Sequence, residues 1–421
     1  MTEPDAPDFV PDLADPAAAV TWLRSPAAVR ERCHAVLALA EADAAPHFTL
    51  HTEHLGAAAD YVVAVIRDAY PDLAIPYHAR WRHFAAGGVD RWGGLATALR
   101  DQPAAEIARL RFDLAVVSVL LDAGAGAAWR FTEPETGRAF TRSEGLAVAS
   151  WHAFRAGLFS GDPAHPLRAD AAGLARIDAE ALGRAFQVGA ENPLTGLAGR
   201  AALLRALGEA LRARPDLFGA SPRIGHLFDH LRRQAIDGAL PATAILHAVL
   251  EGFAPVWPSR LVLGGENLGD VWRHSALSGG GLTEGLVPFH KLSQWLAYSL
   301  VEVLEDAGIA VTGLDALTGL PEYRNGGLFL DTGVLAPRDP DLPRRVLAVD
   351  DEAVVEWRAL TLALLDRIAD PVRERLGRSA AEMPLARILE GGTWAAGRRL
   401  ARERRPGGVP PLTVASDGTV F

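Results

Sequence analysis

The amino-acid sequence predicts a mainly α-helical globular protein with a few short strands. Segments with apolar residues at helical spacing recur along most of its 421 residues, whereas strand-like alternation is rare. The abundance of Ala, Leu and Arg agrees, because these residues favour helices. No repeat, low-complexity linker or clean break divides the sequence, so residues 1–421 are expected to form one large unit. Residues 1–20 are expected to be flexible, and 157–170 and 277–286 are the candidate points of subdivision.

Most of the chain is covered by segments with the helical pattern. In chain order they are Ala27–Ala45, Leu55–Ala69, Glu106–Asp122, Ser143–Ala156, Ala172–Phe186, Gly199–Ala213, Pro222–Asp237, Pro241–Glu251, Pro288–Ala307 and Asp351–Leu376. The apolar stripe along Glu106–Asp122 predicts a core helix. Ser143 is the expected N-cap of its helix, because a serine hydroxyl accepts hydrogen bonds from free amides of the first turn.

The remaining segments carry turn or strand patterns. Trp129–Thr141 predicts a short hairpin, and Ile309–Leu314 a strand or extended connection. Pro71–Arg91 reads as a loop rich in aromatic and basic residues, and Leu317–Leu335 as a loop or short helices. The tail Pro410–Phe421 is expected to be extended.

Composition excludes several classes of function. The net charge of −10 argues against a protein that neutralises nucleic-acid phosphates over a broad surface. No run of about 18 apolar residues is present, so no membrane span is expected. The acidic, proline-rich start Met1–Ala19 lacks the pattern of a signal peptide. Cys33 is the single cysteine, which rules out an internal disulfide and fits a cytoplasmic protein. The oligomeric state is left open.

Lysine is almost absent from this sequence. Of the 42 lysines and arginines, Lys291 is the single lysine. Arginine cannot imitate a compact ammonium group, so a lysine retained against such a bias is a candidate functional residue. The alternative is a surface lysine retained by chance.

The helix that follows Pro288 carries an unusual polar face. Lys291, Gln294, Trp295 and Tyr298 lie at spacings of three and four, which places them on one side. A cation, an amide, an indole and a phenol together are typical of a pocket wall. The alternative is an amphipathic helix whose polar tips reach water.

A second cluster, Glu322, Tyr323, Arg324 and Asn325, follows Pro321 in a turn or helix start. A carboxylate there can act as a general base or stabilise a developing cation. The alternative role of Glu322 is an ion pair with Arg324 or Arg338.

Arginines beside aromatic residues form the third candidate cluster. Such pairs suit a phosphate or a planar amide ligand, and they occur here as Tyr77, His78, Arg80, Trp81, Arg82 and His83, with a weaker example at Trp257 and Arg260. The alternative is a surface loop that uses cation–π packing.

No pattern predicts a metal site, a cofactor or a nucleophilic serine or cysteine. Zinc-ligand spacing is absent from both histidine groups, His47, His51 and His54 and the pair His226 and His230. No GxSxG motif is present, and Cys33 lies in an apolar helix. Metal-independent chemistry without a cofactor is therefore expected.

The chain resembles the uracil catabolism protein 4 family along nearly its whole length. The stretches that carry the resemblance are Ile75–Phe84, Phe112–Gly126, Ser143–Ser150, Trp257–Leu261, Gly285–Leu296, Leu317–Gly327 and Glu390–Arg398. The resemblance implies a role in a uracil-degrading route in which a nucleotide ring is opened and a ribosylurea phosphate appears.

A second resemblance is to queuosine-salvage nucleoside hydrolases, which are similar to helix-hairpin-helix DNA glycosylases. Their patterns Phe-Lys-Arg-Ala-Gln and Ala-Asp-Tyr-Arg correspond here to Phe289, Lys291 and Gln294 and to Glu322, Tyr323 and Arg324. This sequence departs from them by having Glu for Asp and one extra residue between Phe and Lys.

Together the resemblances imply an N-glycosidase that releases urea from a small phosphorylated riboside or urea derivative. Glu322 would stabilise the sugar cation or activate water, and Lys291 and Arg324 would hold the phosphate or a sugar hydroxyl. The expected hydrogen-bonding residues for urea are Gln294, Tyr323 and Asn325, and the expected pocket walls are Tyr77, Trp81 and Trp257. The alternatives are an amidohydrolase of the same route and a non-catalytic binding partner of a pathway enzyme.

Overall fold

The computed structural model describes residues 13–257, 260–278 and 281–415, and helices dominate these segments. The first half contains α1 (Pro16–Leu23), α2 (Pro26–Glu41), α3 (Leu55–Ala69), α4 (Arg80–Phe84), α5 (Arg91–Ala98), α6 (Ala104–Leu120), α7 (Arg142–Arg155), α8 (Ala171–Leu174) and α9 (Ala179–Ala185). The second half contains α10 (Leu197–Ala213), α11 (Pro215–Phe218), α12 (His226–Gln234), α13 (Ala242–Phe253), α14 (Lys291–Asp306), α15 (Tyr323–Asp331), α16 (Glu352–Leu376), α17 (Leu385–Ile388) and α18 (Trp394–Arg404).

The strands are short and occur in pairs. They are β1 (Phe48–Leu50), β2 (Phe131–Thr132), β3 (Ala139–Phe140), β4 (Ala239–Pro241), β5 (Val262–Leu263), β6 (Glu266–Asn267), β7 (Val271–Arg273), β8 (Leu286–Pro288), β9 (Ala310–Thr312), β10 (Leu335–Pro337), β11 (Val346–Leu347) and β12 (Thr413–Val414). The pairs β1–β10, β2–β3, β5–β6 and β7–β8 are antiparallel, whereas β4–β9 and β11–β12 are parallel. The mainly α-helical fold class is confirmed.

Three helices supply much of the hydrophobic core. Every residue of α14 from Leu292 to Val301 is buried, and α6 is buried from Leu110 to Leu120. The long helix α16 packs against α2 and α3. One apolar cluster contains residues from Val29 to Leu412, so both ends of the described chain contribute to the same core. This arrangement agrees with one large unit, which stays a prediction, as do the two candidate points of subdivision.

Local sequence explains where several of these helices begin and end. The Asp351 side chain accepts a hydrogen bond from the Ala353 amide at 2.9 Å and caps α16. Gly377 ends the same helix with a φ of 64°, a left-handed conformation that glycine adopts without strain. None of the helices in the described segments is both long and apolar enough to cross a membrane.

The structure confirms most of the predicted elements. The expected core helix is α6, the expected hairpin is β2–β3, and the segment at Ile309–Leu314 contains β9. The loop or short helices expected at Leu317–Leu335 contain α15, and the extended tail contains β12. Within that tail, residues 416–421 lie outside the described residues, as do 1–12 of the expected flexible start and 279–280 of the second candidate subdivision.

Three predictions of local structure were wrong. Ala172–Phe186 is two short helices, because Asp178 accepts a hydrogen bond from the Ala181 amide and starts a new helix. Ser143 is not an N-cap: Thr141 occupies that position, and the Ser143 hydroxyl donates to Asp122 instead. The segment Pro71–Arg91 is not wholly a loop, since it contains α4.

Candidate functional site

A cavity of about 390 Å³ lies where α14, α15 and α18 meet the chain that follows α6. Side chains of opposite charge and large aromatic rings line it, and the tail before and within β12 also contributes. The lining residues are His78, His83, Asp122, Ala123, Gly124, Ala125, Gly126, Ala127, Arg142, Ser143, Leu146, Lys291, Leu292, Trp295, Leu320, Glu322, Tyr323, Arg324, Trp394, Pro410, Leu412 and Val414.

Lys291 enters the cavity from the first residue of α14. The preceding residue, His290, has a φ of 47°, a left-handed conformation that is uncommon outside glycine and turns the chain into the helix. His290 Nε2 lies 2.9 Å from the Leu23 carbonyl oxygen, and the Lys291 amide donates to Asp270 at 3.0 Å. Burial lowers the pKa of the Lys291 ammonium, and the negative charge of Glu322 opposes this shift.

Glu322 lies on the opposite element, at the N-cap of α15. Its Oε1 accepts a hydrogen bond from the Asn325 amide at 2.5 Å, so the helix start fixes the carboxylate at the cavity wall. Neither ion pair considered for Glu322 forms within the described residues: Arg338 pairs with Asp43, and Arg324 stacks on an aromatic ring. Lys291 and Glu322 therefore line one cavity.

Asp122 is a second carboxylate in this cavity and was not predicted. Arg80, expected to bind substrate directly, is fully buried and pairs with Asp122 at 2.7 Å. Ser143 also donates a hydrogen bond to Asp122 at 3.1 Å, and Arg80 Nε donates to Ser118 at 2.8 Å. Arg80 thus holds a cavity carboxylate in place. The position of Asp122 at the end of the predicted core helix Glu106–Asp122 was the available signal for it.

Two histidines from the segment around α4, His78 and His83, reach the cavity, although the sequence pattern indicated no separate role for either. His83 Nδ1 lies 3.2 Å from Nη1 of Arg80, which can only donate, so the proton of the neutral His83 ring is on Nε2. Burial, followed by the charge of Arg80, lowers the pKa of His83 to about 4. His83 is therefore a neutral hydrogen-bond donor at neutral pH. His78 is oriented by Glu390 at 2.6 Å.

Aromatic rings form the remaining walls. Trp295 is buried, and its Nε1–H has no hydrogen-bond partner among the described residues, so the indole can donate to a ligand. Trp394 arrives on α18, which lies very close to α15: a Cβ added to Gly397 would be 2.0 Å from the Arg324 carbonyl oxygen. Glycine at position 397 is thus required for Trp394 to reach the cavity beside Arg324. The guanidinium of Arg324 lies 4.4 Å from the Trp394 ring centre.

The predicted polar face of α14 lines the cavity only in part. Lys291 and Trp295 are in the lining, whereas Gln294 and Tyr298 are fully buried outside it. The Tyr298 hydroxyl donates to the Thr318 carbonyl oxygen at 2.9 Å, so its assignment to a pocket face was wrong. Gln294 Oε1 accepts a weak hydrogen bond from the Thr318 amide at 3.4 Å. Asn325 is also buried outside the lining and donates to the Leu320 carbonyl oxygen at 3.0 Å.

The other predicted binding residues do not line this cavity. Trp81 is buried and donates to the Ser299 carbonyl oxygen at 2.7 Å, and Arg82 pairs with Glu302 at 2.7 Å. The Tyr77 hydroxyl donates to Glu305 at 3.3 Å. Arg260 stacks over the Trp272 ring at 5.2 Å, and the Trp257 carbonyl oxygen accepts a hydrogen bond from Asn267 at 2.6 Å. Tyr77, Trp81 and Trp257, the expected pocket walls, therefore do not contribute to the lining of this cavity.

One group in the described part of the chain has the geometry to hold a metal ion. It contains Glu133, Glu135 and His152, whose ligand atoms lie within 4.8 Å of one another. Glu133 is already held by a bidentate ion pair with Arg91 at 2.6 and 2.8 Å. This group is not part of the cavity lining.

The chain matches known proteins over nearly its full length. Residues 22–421 match a family described as "Protein of unknown function (DUF1688)". Protein urg3 of Schizosaccharomyces pombe is 39% identical over 401 residues, which cover 93% of this chain and 96% of the relative. Uracil catabolism protein 4 of Lachancea kluyveri is 36% identical over 441 residues, which cover 96% of this chain and 99% of the relative.

These matches confirm the first resemblance, which rested on stretches such as Gly285–Leu296 and Leu317–Gly327. The two stretches supply Lys291 and Glu322, the oppositely charged pair of the cavity. By its match to this family over residues 22–421, the chain belongs to the DUF1688 family, and its full-length similarity to the two relatives places it in the family of uracil catabolism protein 4.

Proposed function

We propose that this protein acts in uracil catabolism, in the cytoplasm, as a metal-independent N-glycosidase that cleaves a ribosylurea phosphate into urea and ribose phosphate. The name of one relative, uracil catabolism protein 4, supports the pathway. A partly enclosed cavity of about 390 Å³, within the range of small-molecule sites, supports a ligand of this size rather than a purely protein-binding role.

The observation that carries the proposal is that Lys291 and Glu322, 31 positions apart in the sequence, line one cavity. Hydrolysis of a C–N glycosidic bond passes through a transition state with positive charge on the sugar, and a fixed carboxylate stabilises that charge. The N-cap bond to Asn325 holds Glu322 in one orientation. No reorganisation of the carboxylate is then needed as the charge develops.

In the proposed reaction, the bond between C1 of the ribose and the urea nitrogen breaks, and a water oxygen forms the new bond to C1. Glu322 accepts a proton from the attacking water. Lys291 donates a proton to the departing nitrogen, a role suited to an ammonium whose pKa is lowered by burial. Transfer of the proton from Glu322 back to Lys291 restores both groups, so that water is consumed and urea is released.

The neighbouring donors suit the urea group of the substrate. The Trp295 Nε1–H and the His83 Nε2–H are both donors in the lining, and neither depends on pH near neutrality. Asp122, which pairs with Arg80, can accept hydrogen bonds from the urea NH2 group or from a sugar hydroxyl. Trp295 and Trp394 contribute apolar surface to the cavity wall, which limits the access of water to the bound substrate.

Substitution of Glu322 by glutamine tests this proposal. Glu322→Gln retains an oxygen that can cap α15, so the fold should persist, while urea release from ribosylurea 5′-phosphate should fall by about 100-fold or more. Asp178→Asn is the matched control, because Asp178 also caps a helix, is exposed and lies outside the cavity lining. Urea release that is equal in wild type and Glu322→Gln would remove Glu322 from the mechanism.

A further inference from the structure

A second, smaller cavity adjoins the first and has a strongly cationic lining. Arg142, Tyr323, Arg324 and Pro410 belong to both cavities, and Arg398 and Arg402 line the smaller one. No aspartate or glutamate contributes to the lining of the smaller cavity. We call Arg142, Arg324, Arg398 and Arg402 the arginine cluster. Two of its members, Arg398 and Arg402, lie on α18, a helix that was not predicted from the sequence.

Most of the cluster has no carboxylate partner. Arg398 pairs with Glu144 at 2.6 Å, whereas the salt bridges among residues 13–257, 260–278 and 281–415 include none to Arg142, Arg324 or Arg402. The Arg142 side chain donates to the Gly407 carbonyl oxygen at 3.2 Å, a neutral acceptor. Arg324 and Arg402 therefore have no ion-pair partner among the described residues.

Arg324 is the most informative member of the cluster. Its residue is only 5% exposed, and its Nη2 has no hydrogen-bond acceptor within the described residues. The guanidinium lies between the rings of Tyr323, at 5.2 Å, and Trp394, at 4.4 Å. A buried charged donor without a partner is unfavourable, so its persistence here indicates a ligand that supplies the missing acceptor.

The cluster is also unfavourable in other respects. Repulsion from Arg398, followed by burial and by repulsion from Arg142 and Arg324, lowers the pKa of the Arg402 guanidinium. Arg142 has a φ of 56°, a strained backbone conformation for a residue with a side chain. Like charges gathered by a strained backbone around a small cavity are typical of a preformed anion site.

We propose that Arg142, Arg324 and Arg402 form the subsite for a phosphomonoester dianion, and that this subsite sets the position of the riboside. Arginine suits this ligand, because the planar fork of each guanidinium can donate two parallel hydrogen bonds to phosphate oxygens. The three guanidinium groups that lack an ion pair carry three positive charges. A carboxylate ligand would balance one of these charges, whereas a phosphomonoester dianion would balance two. The role of the sugar portion rests on the function proposed above; the anion subsite itself does not.

The chain connects this subsite directly to the reacting groups. Glu322 and Arg324 are two positions apart in the sequence, and both line the larger cavity, so one ligand can contact the carboxylate and the subsite together. A phosphate bound by Arg324 would place the riboside in the larger cavity, which Glu322 also lines. Lys291 is then available to the leaving group instead of the phosphate.

Binding of inorganic phosphate tests the subsite without reference to catalysis. At constant ionic strength, phosphate should raise the melting temperature of the wild-type protein above that in chloride, because a ligand of the folded state stabilises it. Arg402→Gln and Arg142→Gln should weaken phosphate binding by about tenfold or more. Arg184→Gln, which removes an exposed arginine paired with Glu180, is the control for net charge and should bind phosphate as wild type does.

Kinetics separate the phosphate of the substrate from free phosphate. If the subsite serves the substrate, Arg402→Gln should raise KM for ribosylurea 5′-phosphate and leave KM for unphosphorylated ribosylurea unchanged. Equal stabilisation by phosphate and chloride, or tight phosphate binding retained in both variants, would overturn the subsite. Phosphate binding that is lost in the variants, in a protein that releases no urea, would support the subsite and reject the glycosidase.

Discussion

Two buried arginines, Arg358 and Arg324, lie over aromatic rings in this protein and differ in what neutralises them. Arg358 lies 4.1 Å from the Phe289 ring centre and makes a bidentate ion pair with Asp270 at 2.8 and 2.9 Å. Arg324 lies 4.4 Å from the Trp394 ring centre, and the ion pairs of the described residues include none with it. The same side chain in similar burial is thus paired at one place and unpaired at the other.

The difference separates a structural role from a binding role. Asp270 also accepts the Lys291 amide at 3.0 Å, so the ion pair with Arg358 fixes the start of α14. Burial opposes ionisation of Asp270, but the charge and hydrogen bonds of Arg358 outweigh it and hold the pKa of this carboxyl well below its usual range. Arg324 has no such ion pair among the described residues, and an anion bound in the proposed subsite would supply one.

The largest expected effect is on stability, from removal of each arginine in turn. Arg358→Gln leaves Asp270 as a buried unpaired charge and should lower the free energy of unfolding by about 3–5 kcal/mol. Arg324→Gln removes a charge that has no partner and should change stability by less than about 1 kcal/mol. Urea-induced unfolding followed by circular dichroism measures both. Equal losses in the two variants would contradict the distinction between them.

A second test uses pH. The stabilisation from ionised Asp270 is fully present above the pKa of an unfolded aspartate, about 3.9, and is lost as pH falls towards the lower folded-state pKa. The stability difference between wild type and Asp270→Asn should therefore be largest at neutral pH and shrink by about 2 kcal/mol below pH 4. Unfolding curves at a series of pH values measure this difference. If the difference in the free energy of unfolding between wild type and Asp270→Asn stayed constant down to about pH 2, Asp270 would not titrate with a lowered pKa.

The smallest expected effect concerns Arg398, the one paired member of the arginine cluster. Burial opposes ionisation of Glu144, yet His83 and Arg398 outweigh it and lower the pKa to about 2, so Glu144 neutralises Arg398 at neutral pH. Glu144→Gln should release Arg398 and strengthen phosphate binding by about fivefold, measured by calorimetry. Glu135→Gln, which frees the exposed Arg155 instead, is the matched control. Weaker phosphate binding in Glu144→Gln would contradict the subsite.

Sequence patterns predicted the helices better than the boundaries between them. Apolar spacing located α3, α6 and α16 because each buries a continuous stripe. The break between α8 and α9 was missed, since helical spacing continues across it and only the N-cap Asp178 marks the new start. A local capping bond decided that boundary, and the periodic pattern does not contain it.

The candidate site was also predictable only in part, because local sequence marks some of its residues and tertiary contacts determine the others. The scarcity of lysine singled out Lys291, and the polar turn singled out Glu322 and Arg324, all of which line the cavity. Asp122 and Arg402 were missed, and His83 was named only as one member of a cluster, because their roles depend on tertiary contacts. Tyr298 was assigned wrongly because helical spacing defines a face but not its length, and the cavity covers only the first turns of that face.

The identity of the product that contains the ureido carbon tests the central claim most directly. Ribosylurea 5′-phosphate labelled with carbon-13 at the carbonyl would be incubated with the purified protein, and the reaction followed by nuclear magnetic resonance. Cleavage of the C–N glycosidic bond predicts a single new carbonyl signal, that of intact urea, which appears with wild type and is lost with Glu322→Gln. Labelled bicarbonate together with ammonia would instead identify an amidohydrolase and contradict the glycosidase.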